Sequence, residues 1–143
     1  MKKLFLLSAL LLSACAQPGT PNAPGASSAS LACTAPLKAG LELNLYFGRN
    51  IESGGDVSDA QWADFVTTEV TPRFPDGLTV VNAAGQSRNS RNQTLRERSK
   101  LLIVVVFDAP AHRPKVDAIV EAYKTRFRQE AVFRVEHPVC AGV

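Results

Sequence analysis

The sequence lacks the short patterns on which the commonest catalytic and metal sites depend. It contains no CxxC pair, no HExxH, no GxSxG and no glycine-rich phosphate loop, and it has only two histidines and three cysteines. His112 and His137 do not have the spacing of metal ligands, and we interpret each as a surface residue. We therefore expect no metal and no cofactor, and we assign no catalytic residue. These absences favour a binding module over an enzyme.

The chain also has no apolar run as long as the roughly 20 residues that a membrane-spanning helix requires. Its most apolar stretch is residues 4–12, which follow the cationic start Met1-Lys2-Lys3 and precede a group of small residues. This three-part layout is typical of a secretory signal peptide, and an uncleaved membrane anchor is the alternative. We predict that residues 1–14 are a signal peptide.

The residues at the predicted cleavage site, Leu12-Ser13-Ala14-Cys15, resemble the lipobox of bacterial lipoproteins. The resemblance implies that Cys15 receives a diacylglyceryl group, that the chain is cut before it, and that the new amine is acylated, with palmitate as an expected chain. Such chains hold a protein firmly at a bilayer, because each buried methylene contributes about 0.8 kcal/mol. Ala16 follows the cysteine, which in lipoproteins of this kind implies the periplasmic face of the outer membrane. A chance cysteine near an ordinary cleavage site is the alternative.

The segment that follows, residues 15–32, has no charged side chain and is rich in proline, glycine, serine and alanine. A segment of this composition buries too little apolar surface to offset the entropy of ordering. We interpret it as a flexible tether whose ends lie on the order of 20–25 Å apart. The folded part is then a single domain over residues 33–143.

Two cysteines, Cys33 and Cys140, lie near the ends of this domain. Pairing is the default state of cysteines in an oxidising compartment. A disulfide between them would close almost the whole domain and contribute about 4–5 kcal/mol as an upper figure. A free thiol or a metal site is the alternative, and no ligand pattern supports it.

The chain also has no large excess of positive or negative charge. The chain has 16 basic and 13 acidic residues, and loss of Lys2 and Lys3 with the signal peptide leaves 14 basic residues and a net charge of +1. This balance does not favour a general polyanion binder, and we expect no nucleic acid as a partner. Residues 86–100 are locally basic. We interpret them as a solvated hairpin loop, with a patch for periplasmic anions as the alternative.

The hydrophobic patterning predicts the element order β-α-β-β-α-β. Residues 41–47 alternate as a half-buried strand does, and residues 100–107 are apolar on both faces, as in a central strand. Ser58 and Gln61 have the spacing of a capping box, and Pro72 predicts that the first helix ends at Thr71. The remaining elements are a strand at 78–81, a helix with Pro114 near its start and apolar residues at helical spacing as far as Phe127, and a strand at 131–137. This order predicts an α+β, ferredoxin-like sandwich: a four-stranded antiparallel sheet with two helices on one face.

The sheet face without helices is expected to be apolar. Either Leu102, Val104 and Val106 or their neighbours Leu101, Ile103, Val105 and Phe107 must lie on it. An exposed apolar strip of this kind marks a partner or a ligand. We expect a homodimer packed sheet to sheet, with a small-molecule cleft or cover by the chain's own loop as alternatives.

The stretch TPRFPDGLTV, residues 71–80, carries a further resemblance. Together with LYFG at 45–48, Gly85-Gln86 and ERSK at 97–100, it resembles a family of small bacterial secreted proteins and lipoproteins catalogued as domain of unknown function 3574. The chain departs from the pattern we expect of that family at Asn82, in place of aspartate, and at Ser87, in place of an aromatic residue. The resemblance implies one fold unit from Cys33 to Cys140 and no particular reaction.

Within that stretch, Arg73 and Asp76 admit two interpretations. Proline and glycine make TPRFPDG a joint between a helix and a strand. In the functional alternative, Arg73 contacts an anion and Asp76 orients it. Ser99 and Lys100 do not form a nucleophilic pair, because adjacent strand residues point to opposite faces.

Two hypotheses follow. The first is a lipid-anchored periplasmic binding module that self-associates through its open sheet face. The second is a small-molecule enzyme or binding protein of the dimeric α+β barrel type, with a pocket on that face. The candidate binding residues are Tyr46, Arg73, Asp76, Gln86, Arg88, Glu97 and Lys100.

Overall fold

The computed structural model describes residues 32–51, 54–88 and 91–142. The predicted signal peptide, the lipidation site Cys15 and nearly all of the tether lie outside the described residues. No helix among those that are described is long and apolar enough to cross a membrane.

The sheet has four strands, each antiparallel to its neighbours, in the order β2-β3-β1-β4. The strands are β1 (Lys38–Gly48), β2 (Thr79–Arg88), β3 (Thr94–Val106) and β4 (Phe133–Ala141). The last strand therefore lies beside the first and β3 is central, as the ferredoxin-like topology requires. The predicted fold class is confirmed.

Two helices, α1 (Asp59–Phe65) and α2 (Arg113–Phe127), cover one side of the sheet, which we call the helix face. The predicted capping box begins α1: Ser58 Oγ accepts from Gln61 N–H at 3.2 Å, and Gln61 Oε1 accepts from Ser58 N–H at 2.9 Å. After α1 the chain continues as a π-helical turn, Val66–Val70. It ends beside Pro72, where the sequence predicts the stop.

The core lies between the helix face and the two helices. It includes Leu43, Leu45 and Phe47 from β1, Leu102, Val104 and Val106 from β3, and Trp62, Phe65, Ile119, Tyr123 and Phe127 from the helices. At one end of the sheet, Cys33 and Cys140 form the predicted disulfide, across 107 positions of sequence. The antiparallel pairing of β1 with β4 brings the two ends of the folded domain together.

The prediction that residues 86–100 form a loop is wrong. β2 and β3 continue through most of this stretch, with Gly85 paired to Glu97 and Arg88 paired to Thr94. β1 ends at Gly48, opposite Ser99, so the hairpin runs beyond it as a two-stranded ribbon. Both faces of such a ribbon meet water, and for this reason its sequence is polar even though its backbone is a strand.

The interpretation of His112 as a surface residue is also wrong, because its side chain is 1% exposed. His112 lies at the N-cap position of α2, and its Nε2 is 3.3 Å from Glu136 Oε1 on β4. Its Nδ1 is buried without a hydrogen-bond partner. The ring therefore fills the space between the start of α2 and β4.

Candidate functional site

The side of the sheet opposite the helices, which we call the open face, carries an apolar strip along β3, flanked on β1 by the polar residues Glu42 and Asn44. The register places Tyr46, Leu101 and Val81 in one row across β1, β3 and β2 on this side. The next rows along β3 add Ile103 and Val105, and Phe107 follows the strand. Tyr46, Val81 and Val105 are each more than a third exposed, and Phe107 is 57% exposed. Of the two sets that the sequence offers for this face, the odd-numbered one is therefore correct.

At the end of the open face where β1 stops, a depression of about 830 Å³ lies between the sheet and the connection from α2 to β4. We call it the Glu97 depression. Its principal lining residues are Tyr46, Gly48, Asn50, Gly85, Gln86, Glu97, Ser99, Arg128, Gln129, Glu130 and Phe133.

Glu97 lies directly over Gly48. A Cβ atom at residue 48 would lie 2.9 Å from Cδ of Glu97 and 3.1 Å from its Oε2. The carboxylate therefore occupies the space that a side chain at residue 48 would need. Its Oε1 accepts a hydrogen bond from Asn50 N–H at 3.2 Å. Within the described residues, no cation forms an ion pair with Glu97.

Gly48 is also held from the helix face. Tyr123 Oη donates a hydrogen bond to the Gly48 carbonyl oxygen at 2.8 Å. The Tyr123 ring is fully buried in an aromatic cluster, with its centroid 4.7 Å from that of Phe47 and 5.1 Å from that of Phe65. Burial is the main cause that raises the pKa of Tyr123, so the phenol stays protonated and remains a donor.

Two aromatic rings form a wall of the depression. Tyr46 and Phe133 are cross-strand partners on β1 and β4, and their ring centroids are 5.8 Å apart. Phe133 is 67% exposed. The rings are tilted by 53° against each other, and an aromatic pair this open to water offers apolar ring surface to a ligand or partner.

The rim is built by the connection that follows α2. Arg128 ends the helix in the left-handed conformation, with φ of 54°. Gln129 Nε2 then donates to the carbonyl oxygen of Asn50 at 2.7 Å, which ties the connection to the residues after β1. The charged residues of the lining are Glu97, Glu130 and Arg128, so the depression carries a formal charge of −1.

Lys100, predicted to belong with Glu97, lies on the helix face. Its Nζ donates to Asp59 Oδ1 at 2.7 Å and to Asn82 Oδ1 at 2.6 Å. Arg49 Nη1 approaches the same Asp59 oxygen at 3.1 Å. The hydrogen bond from Lys100 and the charge of Arg49 lower the pKa of Asp59. Lys100 is thus committed to a structural ion cluster at the start of α1.

The other predicted residues divide by location. Tyr46 and Gln86 line the depression with Glu97. Arg73 bonds Glu69 Oε2 at 3.0 Å at the end of the π-helical turn, and Asp76 lies in the exposed turn after it. Arg88 bonds Asn92 in the hairpin at 2.8 Å. The structure therefore brings together three of the seven candidates.

Sequence reasoning missed Gly48, Asn50, Gln129 and Phe133 as part of this site. Two of these residues belong to patterns visible in the sequence: Gly48 ends the LYFG motif, and Phe133 alternates with Val135 on a predicted strand. Neither residue alone shows what it meets across the sheet. Within the described ranges, no group of three or more histidine, cysteine or acidic side chains could hold a metal ion.

A family profile described as "Protein of unknown function (DUF3574)" matches residues 42–142. The chain belongs to this family. The match covers the whole sheet beyond the first residues of β1, both helices and every lining residue of the Glu97 depression. Curated proteins give no match to the DUF3574 chain.

Two solved structures of a phage lyase show the same type of fold. A phage SAM lyase in complex with S-methyl-5'-thioadenosine is 16% identical, with a TM-score of 0.55 over 71% of this chain and 90% of that one. The apo form of a phage SAM lyase is 17% identical, with a TM-score of 0.55 over 73% and 86%. CutA from Synechococcus elongatus is 10% identical, with a TM-score of 0.48 over 73% and 80%. At these identities the likeness to the lyase concerns the fold.

Proposed function

We propose that this DUF3574 protein is a lipid-anchored periplasmic module that binds a second copy of itself through its open face. The observation that carries the proposal is the strip of apolar side chains along β3 and the neighbouring Val81 on that face. Val81 is 42% exposed, Val105 37% and Phe107 57%. Contiguous apolar surface of this kind is costly to leave in water and marks an interface.

A second copy suits this surface because its chemistry is the same along the strip. Leu101, Ile103 and Val105 follow one another on the central strand, and none of them carries a polar group. A two-fold contact sets the same patch against itself, so the apolar strip is self-complementary. Glu42 and Asn44 flank the strip on β1 and bond each other at 2.8 Å. Two sheets packed in this way lie about 10 Å apart and interdigitate their side chains.

Matched substitutions on neighbouring residues test the self-association. Val81 lies on the open face and Val80 on the helix face of the same edge strand, with similar exposures of 42% and 36%. The full chain in a maltoside detergent should be dimeric by sedimentation equilibrium. Val81→Lys should yield monomer, while Val80→Lys should leave the dimer. A monomeric wild type, or equal effects of the two substitutions, would reject the proposal.

The lipid anchor has a separate test. The lipobox-like residues before Cys15 and the uncharged tether after it support this part of the proposal. Cys15→Ser should release the protein from isolated membranes into the soluble fraction. Continued membrane association of that variant would count against lipidation.

A second candidate function is the binding of a small organic molecule in the Glu97 depression. Its volume of about 830 Å³ falls within the 300–1,000 Å³ typical of ligand pockets, and its walls combine aromatic rings with amides and a carboxylate. The phage lyase of similar fold was solved with S-methyl-5'-thioadenosine, which makes that compound a reasonable first probe. Amide NMR signals of Gly48 and Ser99 should shift on titration with compounds that bind. A small-molecule panel that never moves them would reject this candidate.

A further inference from the structure

We infer that the Glu97 depression selects a small organic cation, such as a quaternary or protonated amine, between the Glu97 carboxylate and the rings of Tyr46 and Phe133. This inference rests on the second candidate function above and deepens it by naming the class of ligand.

The carboxylate is the first element of the inference. Glu97 is half-buried, and its position is fixed by the Asn50 N–H and by the missing side chain at Gly48. No cation of the described residues pairs with it. A carboxylate held in a partly desolvated site without a counter-ion favours a positively charged ligand.

The aromatic wall is the second element. Tyr46 and Phe133 line the same depression as Glu97, with their ring centroids 5.8 Å apart. The face of an aromatic ring attracts an organic cation, and recognition of quaternary ammonium groups uses aromatic side chains in this way. The combination favours a cation that carries methyl or methylene groups over a bare ion.

Two other occupants fit less well. An anion would meet Glu97 and Glu130 against the single positive charge of Arg128, so the depression repels it. A metal ion needs several oxygen, nitrogen or sulfur ligands. The described residues hold no group of three acidic, histidine or cysteine side chains that could supply them.

A pair of isosteres provides the test. Choline and 3,3-dimethyl-1-butanol have nearly the same shape, but only choline is charged. We would titrate each into the full chain in a maltoside detergent, which carries no choline group, and follow the amide signals of Gly48, Ser99 and Phe133 by NMR. Choline should bind about tenfold more tightly than the alcohol.

The outcomes separate the inference from the function on which it rests. Equal affinity for both isosteres would overturn the cation inference while leaving a small-molecule site. Failure of both compounds, together with the rest of the panel, to shift signals around the depression would remove the site and the inference with it.

Substitutions separate the contribution of the Glu97 charge to choline affinity from the contribution of the shape of the site. Glu97→Gln keeps an oxygen that can accept from Asn50 N–H but removes the charge. It should lower the affinity for choline to that for the alcohol. Glu121→Gln removes a charge from the exposed side of α2, where Glu121 pairs with Lys124, and should leave choline binding unchanged. Wild-type affinity in Glu97→Gln would overturn the inference.

Discussion

Gly48 and Glu97 share one space on the open face. They are 49 positions apart in sequence, yet a Cβ atom at residue 48 would lie 2.9 Å from Cδ of Glu97. From the opposite side of the sheet, the buried Tyr123 hydroxyl holds the Gly48 carbonyl at 2.8 Å. The end of β1 is thus held from both faces of the sheet. The position of the Glu97 carboxylate depends on the absence of a side chain at Gly48.

Gly48→Ala should displace the Glu97 carboxylate without unfolding the protein, because the atoms in its way are the end of a flexible side chain. The Asn50 N–H then loses its acceptor, and its hydrogen exchange should accelerate about threefold to tenfold. Gly85→Ala is the control, since nothing lies within 4 Å of a Cβ at that position. Unchanged exchange at Asn50 in the Gly48 variant would contradict the relationship.

Tyr123→Phe should lower the free energy of unfolding by about 0.5–1.5 kcal/mol, because the part-buried Gly48 carbonyl loses its donor while the ring keeps its packing. Urea unfolding of the full chain measures this difference. Tyr46→Phe is the matched control: its ring lies on the open face and its hydroxyl is not part of the core. A loss in the control as large as in Tyr123→Phe would mean that the hydrogen bond from Tyr123 to Gly48 is not the cause.

The ion cluster at the start of α1 predicts a dependence of stability on pH. The Lys100 hydrogen bond and the charge of Arg49 lower the pKa of Asp59 from its ordinary value of 3.8, so the unfolded chain takes up a proton at Asp59 before the folded chain does. The stabilisation is complete above that ordinary value and is lost as the pH falls through the lower pKa of the folded state.

Unfolding in urea between neutral and acid pH should show a shallower decline below pH 4 for Asp59→Asn than for wild type. Lys100→Met should also reduce the slope, and the double variant should differ little from Asp59→Asn. Parallel pH profiles for wild type and Asp59→Asn would show that the pair does not contribute as described.

The disulfide predicts a large effect of reduction, since Cys33 and Cys140 close a loop of 107 positions. Reductant should lower the free energy of unfolding by up to about 4–5 kcal/mol. The double variant Cys33→Ser with Cys140→Ser should show the lower stability from the start and no response to reductant. Equal stability with and without reductant in the wild type would contradict this prediction.

The features that the sequence predicts correctly depend on residues close together or on simple periodicity. The capping box at Ser58 and Gln61 is local, and the alternation of residues 41–47 gives the buried side of β1 directly. The strand order alone, with β4 beside β1, places Cys33 and Cys140 at the same end of the sheet.

The features that it does not predict depend on register. The polar ribbon beyond Gly48 has the composition of a loop, and its side chains alternate between two faces only because β2 pairs with β3. Glu97 and Lys100 are three positions apart, so a strand must place them on opposite faces. Lys100 therefore cannot reach the Glu97 carboxylate. The contact between Gly48 and Glu97 depends on the pairing of β1 with β3.

Photo-crosslinking in intact cells can detect self-association through the open face. Val105 would be replaced by p-benzoyl-phenylalanine, with Val80 on the helix face as the control position. We expect a crosslinked product that contains two copies of this chain from position 105 and none from position 80. Monomer alone from position 105, or crosslinks only to other molecules, would contradict it.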